Sequence, residues 1–237
     1  MLLAKSRFEA GSVKDLTVQA MEEAKKTPSK ASISDGDLYV ISAVEAGTGK
    51  TLMFASFHGD TDGLATAPAL IAVHAVATTL APAALIFGLD ANTYASRPPP
   101  DVAAACSAPH TLHLPSRSYS KPKPGKQAGV DDFIAEYKAK GYASNFNDLP
   151  VADCLTTSSA RTFLQPQLQK ACKAADKAKG GDFNPKDHLL FTATAFELES
   201  AGKDNTGKKE YKEGMVVPTL DWPSDHGLIY CTLRFKA

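Results

Sequence analysis

The feature that most limits how this chain can fold is its most apolar stretch, Leu64 to Leu89. By length alone it would suffice to cross a bilayer. Pro68, Pro82 and His74 interrupt it, Thr78 and Thr79 stand in its middle, and much of its apolar content is alanine. An alanine-rich helix followed by a buried strand accounts for these residues better than a membrane span. Pro68 fits the first turn of a helix reaching about Leu80, where a missing N–H is no loss. Ala83 to Leu89 then reads as a short buried strand ending at Asp90.

Composition bounds the rest. The 237 residues carry 26 Lys+Arg against 26 Asp+Glu, a net charge of zero, and 43% are hydrophobic. That is one large or two small domains with enough apolar mass for a core. A neutral chain is a poor candidate for histone-like or polybasic-tail binding, although it allows a local basic groove. Between Arg117 and Lys186 there are 12 Lys+Arg against 7 Asp+Glu, an excess of that kind. Only Met1 to Ala4 form an apolar run before Lys5 and Arg7, too short for a signal peptide. The expectation is an intracellular protein, cytoplasmic or nuclear. Cys106, Cys154, Cys172 and Cys231 form no CxxC pair, so they are expected to be reduced thiols with no zinc site.

Asp37 to Val44 and Thr51 to Phe57 read as a hairpin joined by Glu45 to Lys50. The turn sequence AGTGKT imitates a phosphate-binding loop. The motif needs glycine where Val44 stands, and a helix where LMFASF is strand-like, so that reading fails. Arg97 to Gly125 holds seven prolines with no sustained periodicity and reads as a loop insertion, partly disordered, within a single domain spanning 1–237. Helical patterns return at Val130 to Lys140, with Phe133, Ile134 and Tyr137 on one face, and at Leu164 to Lys179. Strand candidates Leu189 to Phe196 and Leu228 to Phe235 close the chain around a polar segment.

Polar clusters stand at the ends of these strands: His58-Gly59-Asp60, Asp90-Ala91-Asn92 and Ser224-Asp225-His226, with Asn184 to His188 just before a further strand. A strand end holds a polar side chain on a rigid support, so acids, amides and imidazoles far apart in sequence can converge at the rim of a sheet. His74 on the alanine-rich helix reads as structural, and His188 would face away from Asp187 across the sheet.

In this order, SFHGD, GLDAN, KDHLLF and WPSDHG resemble the motifs of the endonuclease/exonuclease/phosphatase superfamily, the DNase I-like fold. The resemblance runs from about Asp37 to Phe235. It implies an α/β (α+β) chain in which two sheets pack as a β-sandwich flanked by helices. It also implies a metal-dependent phosphoesterase using Mg²⁺ or Mn²⁺, acting on a phosphodiester of nucleic acid or another phosphate ester. In that scheme His226 is the general base and Asp187 its orienting partner. Asp90 holds the attacking water, and Asn92 donates to the phosphate. His58 bonds a phosphoryl oxygen or protonates the leaving group, and Asp225 binds the cation directly or through water. Arg161 is a further candidate for phosphate contact.

The superfamily pattern begins with an Asn strand and a Glu strand, and neither is evident before His58; Glu22 and Glu23 lie in a polar helical run. The expectation is a domain lacking its first two strands, with weak or absent activity in isolation. The alternative is an inactive domain serving as a binding or interaction module.

Overall fold

The computed structural model describes residues 1–29, 31–95, 127–147, 149–157, 184–213, 215 and 217–236. The Arg97 to Gly125 insertion, the helix expected over Leu164 to Lys179, Arg161, and most of the basic excess lie outside them.

Among the described residues the chain forms β1 (Lys14–Asp15), α1 (Thr17–Lys25), β2 (Leu38–Val44), β3 (Thr51–His58), α2 (Thr66–Leu80), β4 (Ala84–Asp90), α3 (Val130–Ala139), β5 (Tyr142–Ser144), β6 (Asp187–Thr192), β7 (Phe196–Asp204) and β8 (Leu228–Phe235). Six strands make one sheet in the order β1-β2-β3-β4-β6-β5, and β7 with β8 makes a second. The large sheet is mixed: β3 and β4 run parallel across the α2 connection, and the other neighbours are antiparallel. A parallel pair needs a long crossover, which the alanine-rich helix supplies.

The helix stops where its sequence says it should. Ala81 takes a left-handed conformation with φ 48°, its N–H bonds back to the Ala77 carbonyl, and Pro82 follows. The hairpin is also as read, with Val44 opposite Thr51, so the phosphate-loop imitation is a hairpin loop in which Gly49 N–H donates to the Glu45 carbonyl. No helix among the described residues is long and apolar enough to cross a membrane. Cys154 and Cys231 are free thiols.

Side chains alternate across the large sheet, and its two faces differ. One face, with Val40, Met53, Ala55, Phe57, Leu85, Phe87 and Leu190, packs beneath α1, α2 and α3 around Leu70, Val73 and Phe133. The opposite face, with Leu52, Ala84 and Phe191, meets Phe196 of β7, while Phe54, Ile86, Leu233 and Phe235 around them stay partly exposed.

Two strand readings need correction. The run Leu189 to Phe196 is not one strand: β6 ends at Thr192, residues 193–195 turn, and Phe196 opens β7. β7 continues through ELESAGKD, which the sequence presents as a polar spacer. It is a strand because one side is paired along β8 while Glu197, Glu199 and Ser200 face solvent. Glu22 and Glu23 sit on α1 and pair with Lys25 and Lys26 at the surface.

Candidate active site

Strand register assembles the candidate site. His58 lies opposite Asp90 across β3 and β4, and Asp90 lies opposite Asp187 across β4 and β6. Residues paired this way project to the same side, here the side facing the small sheet. His58 and Asp90 end their strands and Asp187 begins its own, so the three polar groups form a row at one end of the sheet.

His226 comes from the segment leading into β8. Its Nδ1 lies 2.7 Å from Asp187 Oδ2. Both side chains are mostly buried, 16% and 18% exposed. The histidine backbone is fixed on either side: its N–H donates to Ser224 Oγ at 3.1 Å, and its carbonyl accepts from Trp222 Nε1 at 2.8 Å. Gly227 N–H donates to the Thr156 carbonyl at 2.6 Å. The Thr156 hydroxyl also accepts from the Lys186 and Asp187 N–H groups, both at 3.1 Å, so one threonine ties together the backbones beside His226 and Asp187. His58 stands at the rim, 77% exposed, with Nε2 3.8 Å from Asp90 Oδ2.

The electrostatics set the charge states. Burial alone would push the His226 imidazole down. The Asp187 hydrogen bond and the negative charges of Asp187, Asp90 and Asp225 outweigh it, and the pKa lies above the ordinary histidine value. The Asp90 carboxyl is held above its usual range by burial and then by the neighbouring Asp187, with His226, the Asn92 N–H and Lys186 pulling the other way. Asp187 lies opposite Asp90 on the same rung, so its negative charge opposes ionisation of Asp90, and a protonated His226 offsets part of that.

Asp90, Asp187 and His226 each offer a ligand atom, all within 4.8 Å of one another. Carboxylate oxygens suit Mg²⁺ and Mn²⁺, and imidazole suits the transition metal better than Mg²⁺. The donor set therefore fits a divalent cation. Asp225, the cation ligand expected from the sequence, is not among the three convergent donors. It is half-buried, and it reaches the site through its charge on His226.

Asn92 lies beneath this row, 2% exposed, in a left-handed conformation with φ 46°. Its main-chain N–H donates to Asp90 Oδ1 at 3.0 Å. Its side-chain Nδ2 donates to the Gly59 carbonyl at 3.0 Å, and its Oδ1 accepts from Lys186 Nζ at 2.8 Å. The loop after β3 presses against this turn: a Cβ on Gly63 would stand 2.5 Å from the Asn92 carbonyl oxygen, and Gly63 has φ +70°. Only glycine meets both conditions there.

The structure thus brings together His226, Asp187, Asp90, His58 and Asn92. Arg161 lies outside the described residues. His188 faces the helices, between the rings of Phe133 and Phe146, and His74 bonds the Tyr142 hydroxyl at 2.9 Å. Lys186 and Thr156 were not anticipated. Lys186 carries a signal in hindsight, since a lysine two residues before the core-facing His188 occupies a core parity. Thr156 carries none.

No family model matches the sequence. No curated protein matches it either. Among solved structures, the chain is similar to the human Nocturnin catalytic domain, at 12% identity and a TM-score of 0.47, with 99% of this chain and 62% of that one covered. It is similar to an endonuclease/exonuclease/phosphatase family protein from Bacteroides thetaiotaomicron, at 13% identity and a TM-score of 0.48, covering 98% of this chain and 68% of that one. It is also similar to D. rerio TDP2 complexed with a single-strand DNA product, at 15% identity and a TM-score of 0.47, covering 98% and 70%. This chain therefore spans about three fifths of the Nocturnin catalytic domain, 62% of its length.

Proposed function

We propose that the chain is a phosphoesterase domain that hydrolyses a phosphodiester, of nucleic acid or another phosphate ester, with Mg²⁺ or Mn²⁺ as cofactor. The observation that carries this reading is the 2.7 Å contact between His226 Nδ1 and Asp187 Oδ2, beside Asp90. A carboxylate at Nδ1 fixes the tautomer with the proton on that nitrogen and leaves Nε2 to accept one from water. Asp187 also stabilises the imidazolium that results, as a buried acid does in other histidine-based sites.

Asp90 would hold the attacking water by accepting a hydrogen bond from it, while His226 takes its proton. His58, exposed at the rim, is free to swing toward a phosphoryl oxygen or the leaving group. Asn92 would offer the second hydrogen of its amide to the phosphate from the floor of the site; the first is committed to Gly59. Asp90 and Asp187 would hold the cation, with Asp225 reaching it through water. When bound, it would supply charge neutralisation on the phosphoryl oxygens. Arg161 remains a candidate phosphate contact.

Hydrolysis of bis-p-nitrophenyl phosphate and of supercoiled plasmid, with Mg²⁺ or Mn²⁺, tests the reading. His226→Ala is expected to lower the rate by about 10²- to 10⁴-fold, the usual worth of a general base, and EDTA to abolish it. Turnover that survives both would sink this mechanism. Absent turnover with retained binding of a phosphodiester would instead favour the inactive binding module.

A further inference from the structure

Lys186 is among the largest side chains fully buried in the protein, at 1% exposure. Lysine at such a depth is uncommon, because removing an ammonium from water is costly unless its hydrogens find acceptors. Here Nζ donates to Asn92 Oδ1 at 2.8 Å and lies 5.0 Å from the centre of the Tyr94 ring. Its own carbonyl accepts from Ala91 N–H at 2.7 Å, so main chain and side chain both grip the turn that follows β4.

The chemistry of the two partners leaves Asn92 one orientation. An ammonium can only donate and must face Oδ1; the Gly59 carbonyl can only accept and must face Nδ2. With the amide pinned at both ends, the left-handed Asn92 backbone is pinned too, and its N–H points at Asp90 Oδ1. We infer that Lys186 is a positioning residue: through Asn92 it sets the orientation of the Asp90 carboxylate, and it places a fixed positive charge beneath the Asp90 and Asp187 pair. The inference rests on the phosphoesterase reading for its effect on rate, and not for its effect on Asn92.

The test has two readouts. Lys186→Met keeps the stem and removes the charge and the donor. With the fold intact by circular dichroism, it is expected to lower kcat by about 10- to 100-fold, the range for partners that orient reacting groups, with KM changed by less than about 3-fold because Lys186 does not touch substrate. The Asn92 side-chain amide resonances should shift and lose their protection from exchange. Lys208→Met, at the surface, should change neither. A Lys186→Met protein with wild-type kcat and unmoved Asn92 amide signals overturns the inference. If the wild-type protein has no turnover, the phosphoesterase reading fails while the Asn92 resonances still decide the role of Lys186. Should Lys186→Met not fold, the wild-type protein decides: the Lys186 ammonium is expected to give a slowly exchanging ¹⁵N signal with a contact to the Asn92 amide, and rapid exchange there overturns the inference.

Discussion

The two faces of the large sheet treat the same kind of residue in opposite ways. On the helix side, His188 is buried between phenylalanine rings, and burial pushes its imidazole down to about 4. Its Nε2 lies 2.9 Å from the Pro185 carbonyl, a bond that pulls the other way without outweighing burial. On the side facing the small sheet, His226 meets a carboxylate and its pKa rises. Adjacent residues of β6 serve the two histidines: position 188 is the first, and Asp187 partners the second. The helix side is filled by close packing and disfavours a charge on His188. The other side is only partly covered, leaving room for polar groups to be held near water. Chemistry gathers where the packing is thinner.

Three measurements would break or sharpen this contrast. The largest effect concerns packing. Phe87, wholly buried on the helix side, is expected to cost about 3–5 kcal/mol when cut to alanine. Phe235, partly exposed over the other face, should cost roughly 1–2 kcal/mol by the area it removes from water. Denaturant unfolding of both variants checks this, and equal costs would erase the distinction between the faces.

The next effect is the pH dependence of His188. The folded protein keeps the ring neutral down to about pH 4, whereas its ordinary value is 6.5. Between those values the unfolded chain binds the extra proton, so stability is fully present above 6.5 and falls as pH drops toward 4. The loss is about 3 kcal/mol for a shift of this size. Unfolding free energies from pH 7 to 4 should decline less steeply in His188→Gln than in the wild type.

The smallest effect lies at the rung that joins Asp90 to Asp187. A raised carboxyl pKa in the folded state means a contribution present below the ordinary 3.8 and lost as pH rises through the raised value. At neutral pH the ionised Asp90 therefore works against folding. Asp90→Asn is expected to raise stability by a few tenths to about 1 kcal/mol, the scale for like charges directly opposite on a sheet. Thermal melts at pH 7 and pH 3 would test it, with the gain present at the first and absent at the second.

Much of the scaffold was legible from the chain because its signals are local. The hairpin of β2 and β3, the alanine-rich α2 and the strand ending at Asp90 each announce themselves by period, proline position or a polar stop. β7 did not, because seven of the residues after Phe196 are polar, small or charged, and pairing with β8 makes it a strand. The break between β6 and β7 was invisible for the same reason, since LLFTATAF runs without turn residues. In the site, His226, Asp187, Asp90 and His58 could be read as strand-end groups in order. Asp225 reads as the cation ligand from its place beside His226, but adjacency in sequence says nothing about which carboxylate turns toward Asp90. Lys186 escaped because its role depends on a contact with Asn92, 94 positions away.

The rung at Asp90 and Asp187 also bears on how such a domain could change over time. A substitution that neutralises Asp90 would make the fold easier to keep and, on the proposed function, the chemistry harder to perform. Selection for folding alone would discard Asp90 early, so a lineage freed from any such chemistry should lose it before it loses the hydrophobic residues beneath α2.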